Sequence, residues 1–359
     1  MIAKSPKNPL TQKPLKPFMR VAIYYSNKDV RLEELPKPKI GPGEFLVKVM
    51  ACGICGSDVL EWYRIKRAPL VLGHEATGEI VDVGKGVERY KIGDRVFVSH
   101  HVPCGKCRYC LSGHHTACET LHKTNYDPGG FAEYIRVPRI NVERGVYPLP
   151  DDLSFEDGTL IEPLGCVVRG QRLTGIQEGQ SVLVLGSGIS GLLHLQLARV
   201  RRAGLVIATD INEYRLNAAK KFGASAVIHA KDDVPEKVRQ LNEGRLADRV
   251  IVCTGATAAS KQALQCVDSG GSVLFFAVPG QGVDIPVPIT DFWRNEVTIM
   301  TSYGAAPEDI EEALKLVEER KVNVHDMITH RLGLEETGQG FMLVAEAKES
   351  LKVIIEPQR

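Results

Sequence analysis

Residues 182–191 read VLVLGSGISG. An unbroken apolar run of this kind suits a strand buried on both faces, as in a parallel sheet. Gly186, Gly188 and Gly191 follow it in the spacing G-x-G-x-x-G, and ISGLLHLQLARVRRA carries apolar residues at helical spacing. A strand, a glycine turn and a helix together make a pyrophosphate seat. Gly186 allows the tight turn, Gly188 lets the phosphates approach the backbone, and Gly191 lets the helix pack on the strand. The helix N-terminus then offers its N–H groups and partial positive charge. The next strand, LVIATD, ends on Asp210, 24 residues after Gly186. A carboxylate there accepts from the adenosine ribose hydroxyls and repels a 2′-phosphate, so NAD is expected over NADP. Arg215, a few residues on, offers a cation near the adenosine. Ser187 and Ile189 in the turn, with Cys253, Thr254, Val278 and Ser302 farther along, complete the expected cofactor contacts.

Working outward, the strand–helix alternation continues through RLNAAKKFG, AVIH, PEKVRQLNEG, RVIVCTG, AASKQALQCV and SVLFFAV. It predicts βαβ units and a doubly wound parallel sheet. Before Gly179 the pattern is different. RVAIYY, EFLVKVMACG, ATGEIVDVG and DRVFVSH are short β-branched runs separated by Gly- and Pro-rich turns, the mark of a β domain. The expected class is α/β. A chain of 359 residues exceeds what one core usually supports. We place a flexible tail at 1–18, a β domain at 19–163, the nucleotide domain at 164–303 and a C-terminal segment at 304–359.

A net charge of +1, with 43% apolar and 25% charged residues, gives no global pull toward nucleic acid or an acidic membrane surface. No apolar run reaches the roughly 18 residues of a membrane span, and the first twenty residues lack the apolar core of a secretory signal. The nine cysteines are an odd number, mostly clustered. A reduced, cytoplasmic setting with metal ligation fits them better than a disulfide framework.

Residues 104–118, CGKCRYCLSGHHTAC, bring Cys104, Cys107, Cys110 and Cys118 into fifteen positions. Four thiolates at this spacing wrap one tetrahedral zinc and leave no open position, so this zinc is structural. His114 and His115 are then surplus and are read as solvent-exposed. A second constellation is dispersed. GICGSD supplies Cys55, Ser57 and Asp58, GHEATG supplies His74 and Glu75, and LIEPLG supplies Glu162. One thiolate, one imidazole and one carboxylate make a zinc set with a vacant fourth position for chemistry. No single segment is decisive. An isolated His or Cys is more often structural.

Taken in order, GICGSD, LGHEATGEIVDVG, GDRVFV, the cysteine lobe, GGFAEYIRVP, LIEPLGCV and VLVLGSGISG resemble the zinc-dependent medium-chain alcohol and polyol dehydrogenases, over about residues 19–359. The resemblance implies a GroES-like β domain, completed by the C-terminal segment, with the NAD domain inserted. It implies two zinc ions per chain. Cys55, His74 and Glu162 would be ligands of the catalytic zinc, with Glu75 a direct or transient one. Ser57 would hand on the substrate proton and Asp58 orient the histidine. Zinc would polarise the alcohol and the hydride would pass to NAD. A homodimer or homotetramer is implied too. The carboxylate at 162 directs the reading to a polyol, cyclitol or sugar alcohol, with oxidation of a β-hydroxy amino acid such as L-threonine as the alternative. A non-catalytic NAD- and zinc-binding protein is the alternative of another class.

Two departures stand out. GSDVLEWY puts Leu60 where the family's relay often has histidine, and TSYG puts Ser302 where the sorbitol branch has an arginine before Tyr303. EWYRIKRAPL supplies Trp62, Tyr63, Arg64 and Arg67, and His101 follows the strand of DRVFVS. Ser57, Trp62, Tyr63, His101 and Tyr303 are the expected substrate wall.

Overall fold

The strand Ser181–Leu185 is buried at every residue, and alternate side chains of a strand face opposite ways. Val182 and Val184 share a core with Leu192, Leu193, Leu195 and Leu197 of the helix Ile189–Val200. Leu183 and Leu185 share another with Val234, Val238, Ala263 and Leu264, from the helices Val234–Leu241 and Thr257–Gln265. One strand thus holds two helical layers together. It lies in a six-stranded sheet whose pairings are all parallel. Counted in chain order the strands lie 3-2-1-4-5-6, the doubly wound arrangement with a crevice beyond the carboxyl ends where the order reverses. The computed structural model describes residues 17–359. The tail expected at 1–18 lies almost wholly outside the described residues, and the first strand begins at Phe18.

The turn after Ser181–Leu185 needs its glycines for separate reasons. Gly186 has φ of +96°, a region L side chains avoid. At Gly191 a Cβ would lie 1.9 Å from the carbonyl oxygen of Gly186. The close approach is to the turn itself rather than to the strand.

The remaining strands form a seven-stranded sheet and a three-stranded one. The larger is organised on Phe45–Gly53, which pairs antiparallel with Glu75–Val83, Tyr134–Val137 and Lys352–Glu356. Ile328–Gly333 runs parallel to that last strand. In the smaller sheet Phe18–Ser26 pairs with Asp29–Pro36 and Leu70–Val71. The helix Ile161–Thr174 crosses the expected boundary at 163/164. Its Leu164, Val167 and Val168 join a core that holds Val182 and Val184 together with Ala51 and Phe97 from the larger β-sheet. Among the described residues no helix is long and apolar enough to cross a membrane.

Inside this core sits His194, fully buried on Ile189–Val200. Gln171 Nε2 donates to its carbonyl at 2.7 Å, and its ring stands edge-on to Phe276 at 4.7 Å. Burial, and then the Arg201 charge, pull its imidazole down to about 3, against about 6.5 unfolded. Between those values the unfolded chain holds a proton that the folded one does not. Stability therefore falls as pH drops below about 6.5, by up to about 1.4 kcal/mol per pH unit for this one group. Denaturant titrations from pH 7.5 to 4 should show a shallower loss in His194→Gln than in the wild type, measured side by side.

Candidate active site

Strand register brings the dispersed segments together. Gly53 pairs with Glu75 and Ile354 with Gly53, so Cys55, Glu75 and Lys352 converge at one end of the sheet. Suitable donor atoms of Cys55, His74 and Glu75 lie within 4.8 Å of one another. Asp58, with no exposed surface, closes a tight turn on Cys55. Its amide donates to the Cys55 carbonyl at 3.0 Å, and its Oδ2 accepts from the Cys55 amide at 3.1 Å. Its Oδ1 lies 3.3 Å from His74 Nδ1, which leaves Nε2 for a metal. Burial alone would raise the Asp58 carboxyl, but His74 and Arg64 hold it below the usual range. The Ser57 amide and hydroxyl each lie 3.4 Å from Cys55 Sγ.

The two candidate carboxylates differ in placement. Glu75 is fully buried. Its Oε2 pairs with the equally buried Lys352, whose ammonium also donates to the Ile54 carbonyl at 3.2 Å. Glu75 Oε1 is buried without a hydrogen-bond partner, an orphaned acceptor beside a thiolate and an imidazole, which fits a divalent cation. Glu162 stands outside the three-donor group. It accepts from Cys166 Sγ at 3.6 Å, one helical turn away. Burial pushes its carboxyl up to about 7, with Glu75 adding to the rise and His74 opposing it.

The cysteine lobe gathers as its spacing predicts. The Sγ of Cys107 lies 3.5 Å from that of Cys110, and the Sγ atoms of Cys104 and Cys110 are 4.0 Å apart. Sulfurs on one zinc, each at about 2.3 Å from it, stand about 3.8 Å apart. The amides of Cys104 and Cys107 donate to Cys118 Sγ and Cys104 Sγ at 3.4 and 3.3 Å, and all nine cysteines are free thiols. Within the lobe His114 is exposed as expected. His115 is not, because its Nδ1 sits 3.3 Å from Glu308 with only 22% of the side chain exposed.

The expected cofactor residues line the carboxyl ends of the parallel strands. Gly186, Ser187, Gly188, Ile189 and Gly191 form the turn after Ser181–Leu185, Cys253 and Thr254 follow Ala247–Val252, Val278 lies beyond Val267–Phe275, and Ser302 follows Thr298–Thr301. Asp210 accepts from the Ser187 amide at 2.8 Å and from the Asn212 amide at 3.0 Å, so it clamps the glycine turn. Among the described residues the heavy atoms within 4 Å of a Cβ built on Gly188 belong to Arg215, the nearest at 3.7 Å, so none of them demands glycine there. A cradle that a side chain would fill suits a dinucleotide pyrophosphate. Arg215 stands over this turn with Nε buried and unpartnered.

The pocket wall differs in part from expectation. His100 packs on His74 with ring centroids 4.8 Å apart. His101 stacks on His100 at 3.9 Å, and its Nδ1 lies 3.1 Å from the Thr124 carbonyl, so the residue touching His74 is His100. Tyr303 stacks on His122 of the cysteine lobe at 5.5 Å. Trp62 and Tyr63 lie 5.8 Å apart, and Trp62 is 40% exposed. Glu61 faces away, accepting from the Asn27 amide at 3.1 Å. Sequence reasoning missed Lys352 and His122 altogether. No local motif marks either, and only long-range pairing brings them in.

The family described as "Alcohol dehydrogenase GroES-like domain" matches residues 41–151, and "Zinc-binding dehydrogenase" matches residues 190–319. A sorbitol dehydrogenase of Bacillus subtilis is 32% identical over 95% of this chain and 98% of its own. An L-threonine 3-dehydrogenase of Pyrococcus furiosus is 35% identical over 88% of this chain and 92% of its own. A Sinorhizobium meliloti protein described as a zinc-binding dehydrogenase, solved with NADP, superposes with a TM-score of 0.85 at 29% identity, covering 95% of this chain and 100% of that one. With its glycine turn, its four-cysteine lobe and its convergent Cys, His and Glu, the chain belongs to the zinc-dependent medium-chain dehydrogenases, in the branch of the polyol and threonine dehydrogenases.

Proposed function

We propose that this protein oxidises a secondary alcohol of a polyol, cyclitol or sugar alcohol to the ketone, with NAD as hydride acceptor. The observation that carries this reading is the meeting of Cys55, His74 and Glu75 beside the carboxyl ends of the parallel strands. Tyr303, two residues past Thr298–Thr301, is near enough to Tyr63, Cys166 and Glu162 for their charges to add to the burial that raises its phenol. The sorbitol dehydrogenase relative supports the substrate class.

Cys55, His74 and Glu75 would hold the catalytic zinc, with Glu162 as the carboxylate behind them. Bound there, zinc supplies a Lewis acid that acidifies the alcohol. Asp58 fixes the imidazole of His74. Ser57 presents a hydroxyl to the reacting oxygen. Lys352 holds Glu75 in place, since a fully buried ammonium needs a paired carboxylate. Asp210 and the glycine turn hold the dinucleotide, and Arg215 neutralises its pyrophosphate. A dimer or tetramer is part of this proposal. Among the described residues the edge strand Thr298–Thr301 has no partner beyond it, and Trp293 and Ile289 nearby are 79% and 68% exposed. So is a cytoplasmic location, which suits nine unpaired thiols.

Three expected outcomes follow. Metal analysis should give two zinc ions per chain. Cys55→Ser should stay folded, lose one of them and fall at least about 10³-fold in NADH formation on a polyol panel, while Cys107→Ser should lose the other and melt lower or assemble less. A stable Cys107→Ser fold that had lost catalysis alone would reverse the assignment. Finally, kcat/KM should favour NAD over NADP by at least about 10-fold, because the clamped Asp210 carboxylate repels a 2′-phosphate.

A further inference from the structure

Arg64 stands against Ser57 and Asp58, next to Cys55 and His74. Its Nε donates to the Ser57 carbonyl at 3.0 Å, and its Nη2 donates to Ser57 Oγ at 3.1 Å and approaches Asp58 Oδ1 at 3.4 Å. These contacts use one edge of the guanidinium. Nη1 has no hydrogen-bond partner among the described residues, and 14% of the side chain is exposed. The guanidinium is therefore held through Nε and Nη2, and Nη1 is left to donate. Its orientation is further set by the Tyr63 ring, with the guanidinium carbon 4.9 Å from the centroid. Arg67 approaches the same ring at 5.7 Å. Lys66 spends its ammonium on the uncharged Gln281 Oε1 at 3.0 Å, and Glu61, the one acid among residues 61–67, is engaged by the Asn27 amide. Counting Asp58, the partner of Arg64, with Glu61 against Arg64, Lys66 and Arg67, the rim keeps an excess of one positive charge.

We infer that the free Nη1 of Arg64 binds a carboxylate of the substrate, so that the preferred substrate is a polyhydroxy acid rather than a neutral polyol. This rests on the reading of the protein as a polyol-type dehydrogenase and narrows it. Ser57 Oγ lies 3.4 Å from Cys55 Sγ and 3.1 Å from Arg64, so a single hydroxyl separates the cation from the metal ligand. The carboxylate then sits close along the carbon chain to the carbinol being oxidised. A guanidinium suits this role because the bonds of Nε and Nη2 hold Nη1 in a fixed direction, whereas a lysine ammonium would turn freely on its stem. Arg64 also accounts for Ser57. A donor-only group bonded to Oγ makes the oxygen the acceptor there, so its proton is directed at Cys55 Sγ, 3.4 Å away.

The test uses matched pairs that differ only at one carbon: D-gluconate against D-sorbitol, and D-galactonate against galactitol, with L-threonine as a carboxylate of amino-acid type. With zinc-loaded enzyme and NAD, the acid of a pair should exceed its alcohol by about 30-fold in kcat/KM, the range of a charge-assisted pair. In Arg64→Gln that ratio should collapse toward 1, and in Arg64→Lys it should be intermediate, with NADH binding retained as proof of fold. A wild-type ratio near 1, or a ratio unchanged in Arg64→Gln, overturns the inference and leaves the polyol reading standing. Preference for L-threonine alone, lost in Arg64→Gln, supports the anion site and moves its occupant to a hydroxy amino acid. Should no pair turn over, the polyol reading fails, and binding to the zinc–NADH complex, followed by nucleotide fluorescence, decides the inference separately. Tighter binding of gluconate than of sorbitol, abolished in Arg64→Gln, upholds it, and equal binding overturns it.

Discussion

A lysine ammonium with no exposed surface is the constraint on which the site depends. Lys352 sits in the sheet beside Phe45–Gly53 and is paired with Glu75. An isolated ammonium there would cost several kcal/mol, and removing either partner of a buried pair typically costs about 3–5 kcal/mol. Although burial pulls the other way, Glu75 raises the Lys352 ammonium above its ordinary value. One oxygen of Glu75 is bonded to the lysine while the other stays unsatisfied. In the proposed zinc site that second oxygen would be the one offered to the metal. Because the lysine comes from a strand 277 residues away, the donor set is complete only when that strand has docked.

What was legible in the sequence follows from range. The glycine turn and the four-cysteine lobe lie within short windows, where spacing alone brings ligands together, and the 3-2-1-4-5-6 sheet follows from an apolar strand and the helices after it. The dispersed site was legible only as a set of residue types. Residue types leave both Glu75 and Glu162 open as carboxylate ligands; the register that sets Gly53 against Glu75 groups Glu75 with Cys55 and His74, and burial raises the Glu162 carboxyl. No spacing rule encodes that register. His100 and His101 are adjacent in sequence, and only the Thr124 carbonyl decides which of them is turned aside.

The cysteine lobe is also less separate than a closed zinc site suggests. His115 reaches Glu308, which lies beside Asp309. Asp309 in turn receives Arg172 at 2.9 Å and Arg169 at 3.7 Å from the crossing helix Ile161–Thr174. His122 supports Tyr303 from the same lobe. The histidine taken as surplus to metal binding thus helps to dock the lobe, because a two-nitrogen ring next to a carboxylate loses less on burial than one facing apolar atoms.

The doubled use of Asp210 reaches beyond cofactor preference. One oxygen keeps the Ser187 amide in place and the other steadies Asn212, whose side chain caps the next helix at Tyr214 and Arg215. With the proposed role of Asp210 in nucleotide choice, that choice and the turn geometry would be written in a single carboxylate and could not drift independently. A lineage moving to a phosphorylated cofactor would have to supply a new acceptor for Ser187 before it could give up the old charge. That ordering makes Asp210 a ratchet, easy to keep and awkward to leave.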